Sequence, residues 1–348
     1  MITVDVKVGK GYNIYIGKGL LDRAGELARE LIKPCTAAII TDDKVDALYS
    51  DRLTKSLEDA GFKTVKYVFA NGEASKNITT FANILEFLAK NQLGRNDVIF
   101  ALGGGVVGDL AGFSAACYLR GIRFMQIPTT LLAAVDSSVG GKTGIDLEAG
   151  KNLAGAFYQP EMVICDPSLL DTLEKSVFAD GLAEAIKYGA IYDGDMFELT
   201  SADTLDIEAI IKRSVEIKAD VVEKDEKESG LRQILNFGHT FGHAVEKCSN
   251  YKISHGSAVA IGMAMIARGC EKSGAIDPSY RELIENILKK HSLPISTDFS
   301  ADELFEAMLS DKKRRSDNIT LVLPKIPGEC ELKALSLKDA KKLLEAGL

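Results

Sequence analysis

Three of the four histidines in this chain fall in one short stretch: His239, His243 and His255. His239 and His243 are four residues apart, so on a helix they share a face, and Asn236, three and seven residues earlier, shares it too. A lone histidine is usually an ordinary polar or core residue. Clustered imidazoles, completed by a carboxylate and an open water position, form the pattern of a catalytic zinc centre. Spacing alone offers all three histidines as ligands. The carboxylate must come from elsewhere, and Glu184 in segment 181–189 is the candidate, with Lys187 one turn on. The same spacing also suits a solvated Glu–Lys pair on a helix surface.

The other candidates suit anionic ligands. Leu102-Gly103-Gly104-Gly105-Val106-Val107-Gly108-Asp109 follows an apolar run, opens a helical pattern and formally fits G-x-G-x-x-G. Glycines let the backbone approach a phosphate, whose charge suits a helix N-terminus; a plain tight turn reads equally well. The usual dinucleotide fingerprint follows the first strand, with an acid about 20 residues on. Here the glycines follow a middle strand, and the next strand ends in Pro128-Thr129-Thr130 without an acid. A nucleotide-phosphate site of another topology is expected, with Asp42 either on the ribose hydroxyls or capping a helix. Lys218 falls on the apolar stripe Ile207, Ile211, Val215, Val222; it either snorkels at the helix edge or aims at an anion. Asp136-Ser-Ser-Val-Gly-Gly-Lys142 and Lys151-Asn152 supply two lysines and an asparagine on a glycine-rich segment. It is not a Walker A loop, because Asp136 stands where GxxxxGK[ST] needs glycine. Asp311-Lys312-Lys313-Arg314-Arg315 is either a solvated charge run or the basic lip of an anion site.

The elements that must position these residues change along the chain. Residues 2–8 and 12–16 read as strands. Strand patterns at 37–40, 64–69, 98–102, 122–127 and 161–165 alternate with helical patterns at 20–31, 43–60, 78–91 and 105–119. That alternation predicts βαβ units and a parallel sheet, with ligands beyond the carboxyl ends of the strands. Segment 136–160 reads as a long irregular, functional loop. Beyond about residue 178 strand signals nearly vanish, and helical patterns run through 179–192, 204–226, 236–248, 256–273, 279–291 and 301–310. The 348 residues suit about two domains: an α/β domain over 1–175 and an all-α domain over 176–348. A dinucleotide, a divalent metal and a small polyanion are expected to meet between them.

Composition excludes other classes. Forty-two basic against 50 acidic side chains give a net charge of −8, unlike a nucleic-acid binder. No apolar run approaches the roughly 18 residues of a membrane span. The six cysteines are scattered without a CxxC, as in a reduced cytoplasmic protein.

Segments 103–109, 136–142, 151–152, 181–189, 230–243, 255–256 and 311–313 together resemble the 3-dehydroquinate synthase family of sugar-phosphate cyclases, and the likeness covers nearly the whole chain. The resemblance implies a Rossmann-like α/β domain followed by a helical domain, NAD and one zinc or cobalt ion. The implied substrate is an anionic sugar phosphate, 3-deoxy-D-arabino-heptulosonate 7-phosphate, and a homodimer is expected. It implies Glu184, His239 and His255 as metal ligands and makes His243 a substrate or proton-relay residue. NAD contacts are implied at Asp42, Glu73, Lys76, Asp109, Thr129, Thr130, Lys142 and Lys151 and on the glycine turn, Gly104, Gly105, Val106, Val107 and Gly108. Substrate contacts are implied at Asp136, Lys142, Asn152, Lys187, Lys218, Arg232, Asn236, His243 and Lys312 or Lys313, with Arg120 reaching a neighbouring subunit. The chain departs from the family pattern at 172–177, at Ser257 where glutamate is usual, and at Ser316 where glycine is usual. Competing readings are another sugar-phosphate cyclase, a metal-dependent polyol dehydrogenase, or a non-catalytic NAD-binding relative.

Overall fold

The computed structural model describes residues 1–311 and 318–348. It divides into two compact units, Met1–Leu173 with Lys218–Glu226, and Glu174–Ile217 with Lys227–Leu348. The first unit runs β1 (Ile2–Val6), β2 (Tyr12–Ile16), α1 (Ala24–Leu31), β3 (Thr36–Asp42), α2 (Asp43–Val45), α3 (Asp51–Asp59), β4 (Lys63–Phe69), α4 (Ile78–Lys90), β5 (Val98–Gly103), α5 (Gly105–Cys117), β6 (Arg123–Pro128), β7 (Lys142–Leu147), β8 (Gly150–Phe157) and β9 (Met162–Cys165). Seven of the strands form one sheet in the order β1-β2-β9-β6-β5-β3-β4. β1 lies antiparallel to β2, and every other pair is parallel.

Helices cover both faces of this sheet, so its central strands are apolar throughout. Successive side chains alternate between two cores: Ile39, Phe100 and Met125 enter one, while Ala38, Ile40, Ile99 and Phe124 enter the other. Burying a Phe100 or an Ile39 contributes about 1.5–3 kcal/mol. The strand order also locates a site. The chain leaves β3 toward β4 and leaves β5 toward β6, on opposite sides, so the carboxyl ends of β3 and β5 flank a topological switch point. Asp42 ends one strand and Gly103 the other.

Helix 43–60 forms as one continuous run, with α2 and α3 joined through a wider helical turn over Asp46–Ser50. One expectation for this unit changes. Segment 136–160 is not an irregular loop but chiefly the antiparallel hairpin β7–β8. Its glycines hide it from pattern reading. Gly144 and Gly155 are paired; a Cβ on Gly155 would lie 2.1 Å from the Thr143 carbonyl oxygen, and one on Gly144 2.7 Å from that of Ala154. The close strand approach forbids the β-branched residues that usually mark a strand.

The second unit contains α6 (Lys175–Ile191), α7 (Asp195–Ser201), most of α8 (Ile207–Lys224), α9 (His239–Cys248), α10 (His255–Lys272), α11 (Pro278–Lys290), α12 (Ala301–Asp311) and α13 (Leu337–Gly347). It also holds one antiparallel hairpin, β10 (Asn318–Ile326) with β11 (Glu329–Ser336). The sequence patterns miss this hairpin, α7 and α13. β11 is largely exposed and carries scattered apolar residues, too weak a pattern to register. α10 is buried along most of its length, and α9 lies against it at backbone distance. A Cβ on Gly262 would come within 2.0 Å of the Gly238 carbonyl oxygen, and one on Gly242 within 2.8 Å of the Ala258 carbonyl oxygen. Glycine at both places brings the two histidine-bearing helices together. Among the described residues no helix is long and apolar enough to cross a membrane.

Candidate functional site

Glu184, His239 and His255 converge inside the second unit. Their ligating atoms all lie within 4.8 Å of one another. Glu184 Oε1 stands 3.5 Å from His239 Nε2 and 3.6 Å from His255 Nε2. Metal bonds of about 2.1 Å give a tetrahedral ligand edge of about 3.4 Å, so the spacing fits a divalent cation such as zinc. Three elements supply the ligands: α6 gives Glu184, the first residue of α9 is His239, and the first of α10 is His255. His239 Nδ1–H donates to the Phe237 carbonyl at 3.1 Å, which leaves the Nε2 lone pair for the cation. The other Glu184 oxygen, Oε2, accepts from Lys187 Nζ.

The electrostatics of the two imidazoles differ. Burial, helped by the charge of Lys187, pushes His239 down to about 3. Burial would lower His255 as well, but Glu184 and Glu246 outweigh it and raise it to about 10. Glu184 and Lys187 are each 1% exposed. The solvated pair that their spacing suggests is therefore a buried ion pair.

His243 is close but separate, its ring 5.5 Å from that of His239 and 6.1 Å from that of His255. It lines a cavity of about 570 Å³ with Glu228, Gln233, Asn236 and His239. Asn236 reaches this cavity without sharing the histidine helix. It ends a 3-10 turn over Leu231–Asn236, and Gly238, with φ of 79°, resets the chain before α9 begins. Its Nδ2 donates to Glu228 Oε1 at 2.9 Å. Arg232, in the same turn, is 1% exposed.

In the first unit the candidates gather around Lys76. This lysine is buried; its Nζ lies 2.6 Å from Asp109 Oδ2 and donates to Asn152 Oδ1 at 2.6 Å. Glu73 stands 3.9 Å away. Burial alone would lower Lys76, yet Asp109 and Glu73 overcome it and keep the ammonium charged. Asn152 holds a φ of 54° and its N–H donates to Asp146 Oδ1. Gly104 and Gly105 open α5 beside Thr130 and Ser137. A Cβ on Gly108 would meet only the movable end of Gln126, Oε1 at 2.8 Å. Thr129 is buried, and its N–H donates to the Gly103 carbonyl. Asp42 caps α2: its Oδ1 accepts from the N–H groups of Lys44 and Val45 at 3.0 and 2.9 Å. Lys142 is exposed and Lys151 half-buried, both on the β7–β8 hairpin.

Lys218 does not snorkel. It is 5% exposed, and its Nζ lies 2.9 Å from Asp136 Oδ1 and 2.6 Å from the Asp136 carbonyl oxygen. Arg120 is exposed in a run of left-handed backbone. Lys312 and Lys313 lie outside the described residues.

The sequence patterns pass over two carboxylates. Asp180 Oδ1, one turn before Glu184, accepts from Ser254 Oγ, Ser257 N–H and Ser257 Oγ at 2.7, 3.0 and 3.1 Å. It caps α10 from another helix and so fixes where His255 begins. Ser257 completes that cap. Glu246 Oε2 stands 3.6 Å from His255 Nδ1. A signal for Glu246 existed, since it shares a helix face with His239 and His243 at steps of seven and three.

Residues 66–180 match the family model described as 3-dehydroquinate synthase N-terminal, and residues 181–314 match 3-dehydroquinate synthase C-terminal. A 3-dehydroquinate synthase of Clostridium acetobutylicum is 45% identical, covering 99% of both chains. Among solved structures, a 2-deoxy-scyllo-inosose synthase complexed with carbaglucose-6-phosphate, NAD+ and Co2+ superposes with a TM-score of 0.89 at 24% identity, covering 100% of both chains. A 2-epi-5-epi-valiolone synthase of Streptomyces hygroscopicus with NAD+ and Zn2+ bound reaches 0.87 at 24% identity, covering 99% of this chain and 98% of its own. These two structures bear out the fold: an α/β unit followed by a predominantly helical one.

Proposed function

The chain belongs to the 3-dehydroquinate synthase family, and on that premise we propose that it converts 3-deoxy-D-arabino-heptulosonate 7-phosphate into 3-dehydroquinate and inorganic phosphate. The observation that carries this reading is the convergence of Glu184, His239 and His255 in a chain similar to a known synthase from end to end. When bound, NAD supplies reversible hydride acceptance and a zinc or cobalt ion supplies Lewis-acid polarisation of a substrate oxygen.

The chain's own residues hold and orient. Glu184, His239 and His255 hold the cation. Asp42, Glu73, Lys76, Asp109, Thr129, Thr130, Lys151 and the turn 104–108 hold NAD, with the phosphates at the start of α5. Arg232, buried, suits a planar carboxylate, which its guanidinium can meet with two parallel hydrogen bonds. Lys142, Asn152, Lys187, Lys218 and Asn236 meet the remaining oxygens, and one of Lys312 and Lys313 adds a further cation. Losing the C6 proton and expelling phosphate both build negative charge, which cationic and amide donors stabilise. His243, at the cavity, relays a proton. Asp136 keeps Lys218 in place. Fixing both anionic ends of the substrate contributes further through orientation.

We also read the chain as a cytoplasmic homodimer. The left-handed run Leu119, Arg120, Gly121, with φ of 50, 67 and 120°, suits an arginine presented to a second copy. Sedimentation velocity tests the dimer.

The decisive experiment supplies NAD equimolar with enzyme, plus zinc and the heptulosonate phosphate. Phosphate release should continue for many turnovers without NADH accumulating. Deuterium at C5 of the substrate should reappear at the same carbon of the product. One NADH per product would instead indicate a polyol dehydrogenase. No phosphate from this substrate, but release from another sugar phosphate, would indicate a different cyclase.

A further inference from the structure

Glu246 has no part in the chemistry assigned so far, yet it is 3% exposed and faces a metal-ligand candidate. A buried carboxylate needs groups that compensate its lost hydration. Its Oε2 lies 3.6 Å from His255 Nδ1, while His255 Nε2 lies 3.6 Å from Glu184 Oε1. Two carboxylates from two helices thus address opposite nitrogens of one imidazole. When Nε2 is given to a cation, the ring's proton resides on Nδ1, and Nδ1 faces Glu246. Glu246 and His255 ride on α9 and α10, whose backbones approach closely at Gly242 and Gly262.

We propose that Glu246 is the positioning residue for His255: it accepts Nδ1–H, fixes the tautomer and the ring plane, and makes Nε2 a stronger donor. The inference rests on the metal-centre reading of Glu184, His239 and His255. His239 receives the equivalent support from the neutral Phe237 carbonyl, so the two histidines are tuned differently, and His255 is the more basic donor. His243, Glu246 and His255 also bring ligating atoms within 4.8 Å of one another. A second cation there would need His255 to give up both ring protons, which favours a proton on Nδ1 facing Glu246.

The test measures zinc affinity by competition with a chromophoric chelator, and the visible spectrum of the cobalt-loaded protein, in wild type, Glu246→Gln and Glu246→Ala. Gln keeps the shape and removes the charge, so it carries the test if Ala fails to fold. Glu246→Gln should weaken zinc binding about 10-fold, and Ala up to about 100-fold. The cobalt bands should move, and the far-ultraviolet circular dichroism of the metal-free Gln variant should match wild type. Wild-type affinity with an unchanged cobalt spectrum in Glu246→Gln overturns the proposal alone. Two zinc ions per wild-type chain, one of them lost in the variant, also overturn it by making Glu246 a ligand. A wild-type chain that binds no zinc overturns the metal-centre reading and this proposal with it.

Discussion

The two units present charge in opposite ways. In the first, lysines close on side-chain acceptors: Lys76 on Asp109 and the Asn152 amide, Lys218 on Asp136. In the second, the ligating atoms of Glu184, His239 and His255 face one point, and outer groups hold them there: Lys187 on Glu184, Phe237 on His239, and Asp180 on the start of α10. A set of paired side chains is already satisfied and can exchange partners when an anion arrives. A convergent set of donors is satisfied by a cation. The difference predicts that the second site depends on helix packing, and the first on keeping its pairs balanced.

The largest effect should come from the convergent donors themselves. His239→Ala and Glu184→Gln should abolish activity and zinc binding while the chain still folds, measured by atomic absorption and circular dichroism. Normal zinc stoichiometry in both would remove them from the ligand set. His243→Ala should instead keep the metal and lose rate.

Packing comes next. Gly262→Ala places a methyl 2.0 Å from the Gly238 carbonyl oxygen and should cost about 3 kcal/mol, read by urea unfolding, with weaker zinc binding. Unchanged stability and zinc affinity together would break the link between helix approach and the metal centre.

The paired charges should respond differently. Lys218→Met leaves Asp136 without this partner and should lower stability by about 2 kcal/mol as well as turnover. The double variant Lys218→Met/Asp136→Asn should regain much of the stability and none of the turnover. If the single variant is as stable as wild type, the pair is not a structural unit. The smallest effect belongs to the cap. Ser257→Ala removes one of several bonds to Asp180 and should cost under about 1 kcal/mol, with zinc affinity nearly unchanged. A large loss of zinc would show that the cap sets His255 more tightly than the packing does.

Much of this molecule was legible because it depends on neighbours in sequence. The parallel sheet follows from apolar runs alternating with helical patterns, and the turn at 103–108 follows from its glycines. Three clustered histidines with Glu184 suggest a cation site by residue type and spacing, and the family resemblance implies that His243 is not a ligand. Local pattern failed where a residue's role depends on distant packing. Asn236 left the histidine helix because Gly238 takes a left-handed φ of 79°. The β7–β8 hairpin lacked β-branched residues because its strands approach too closely to admit them.

Residue types and local spacing establish which chemistry is available: imidazoles at helical spacing, lysines among glycines, and a carboxylate of the type that completes a metal set. Folding chooses the partners. Lys218 meets Asp136 across 82 residues and Ser257 meets Asp180 across 77, while Glu246 and His255 meet because α9 and α10 pack through glycine. The difference is one of range. Periodicity and turn chemistry act over a few residues, whereas the neutralisation of a buried charge depends on whichever chain segment the folded core brings beside it.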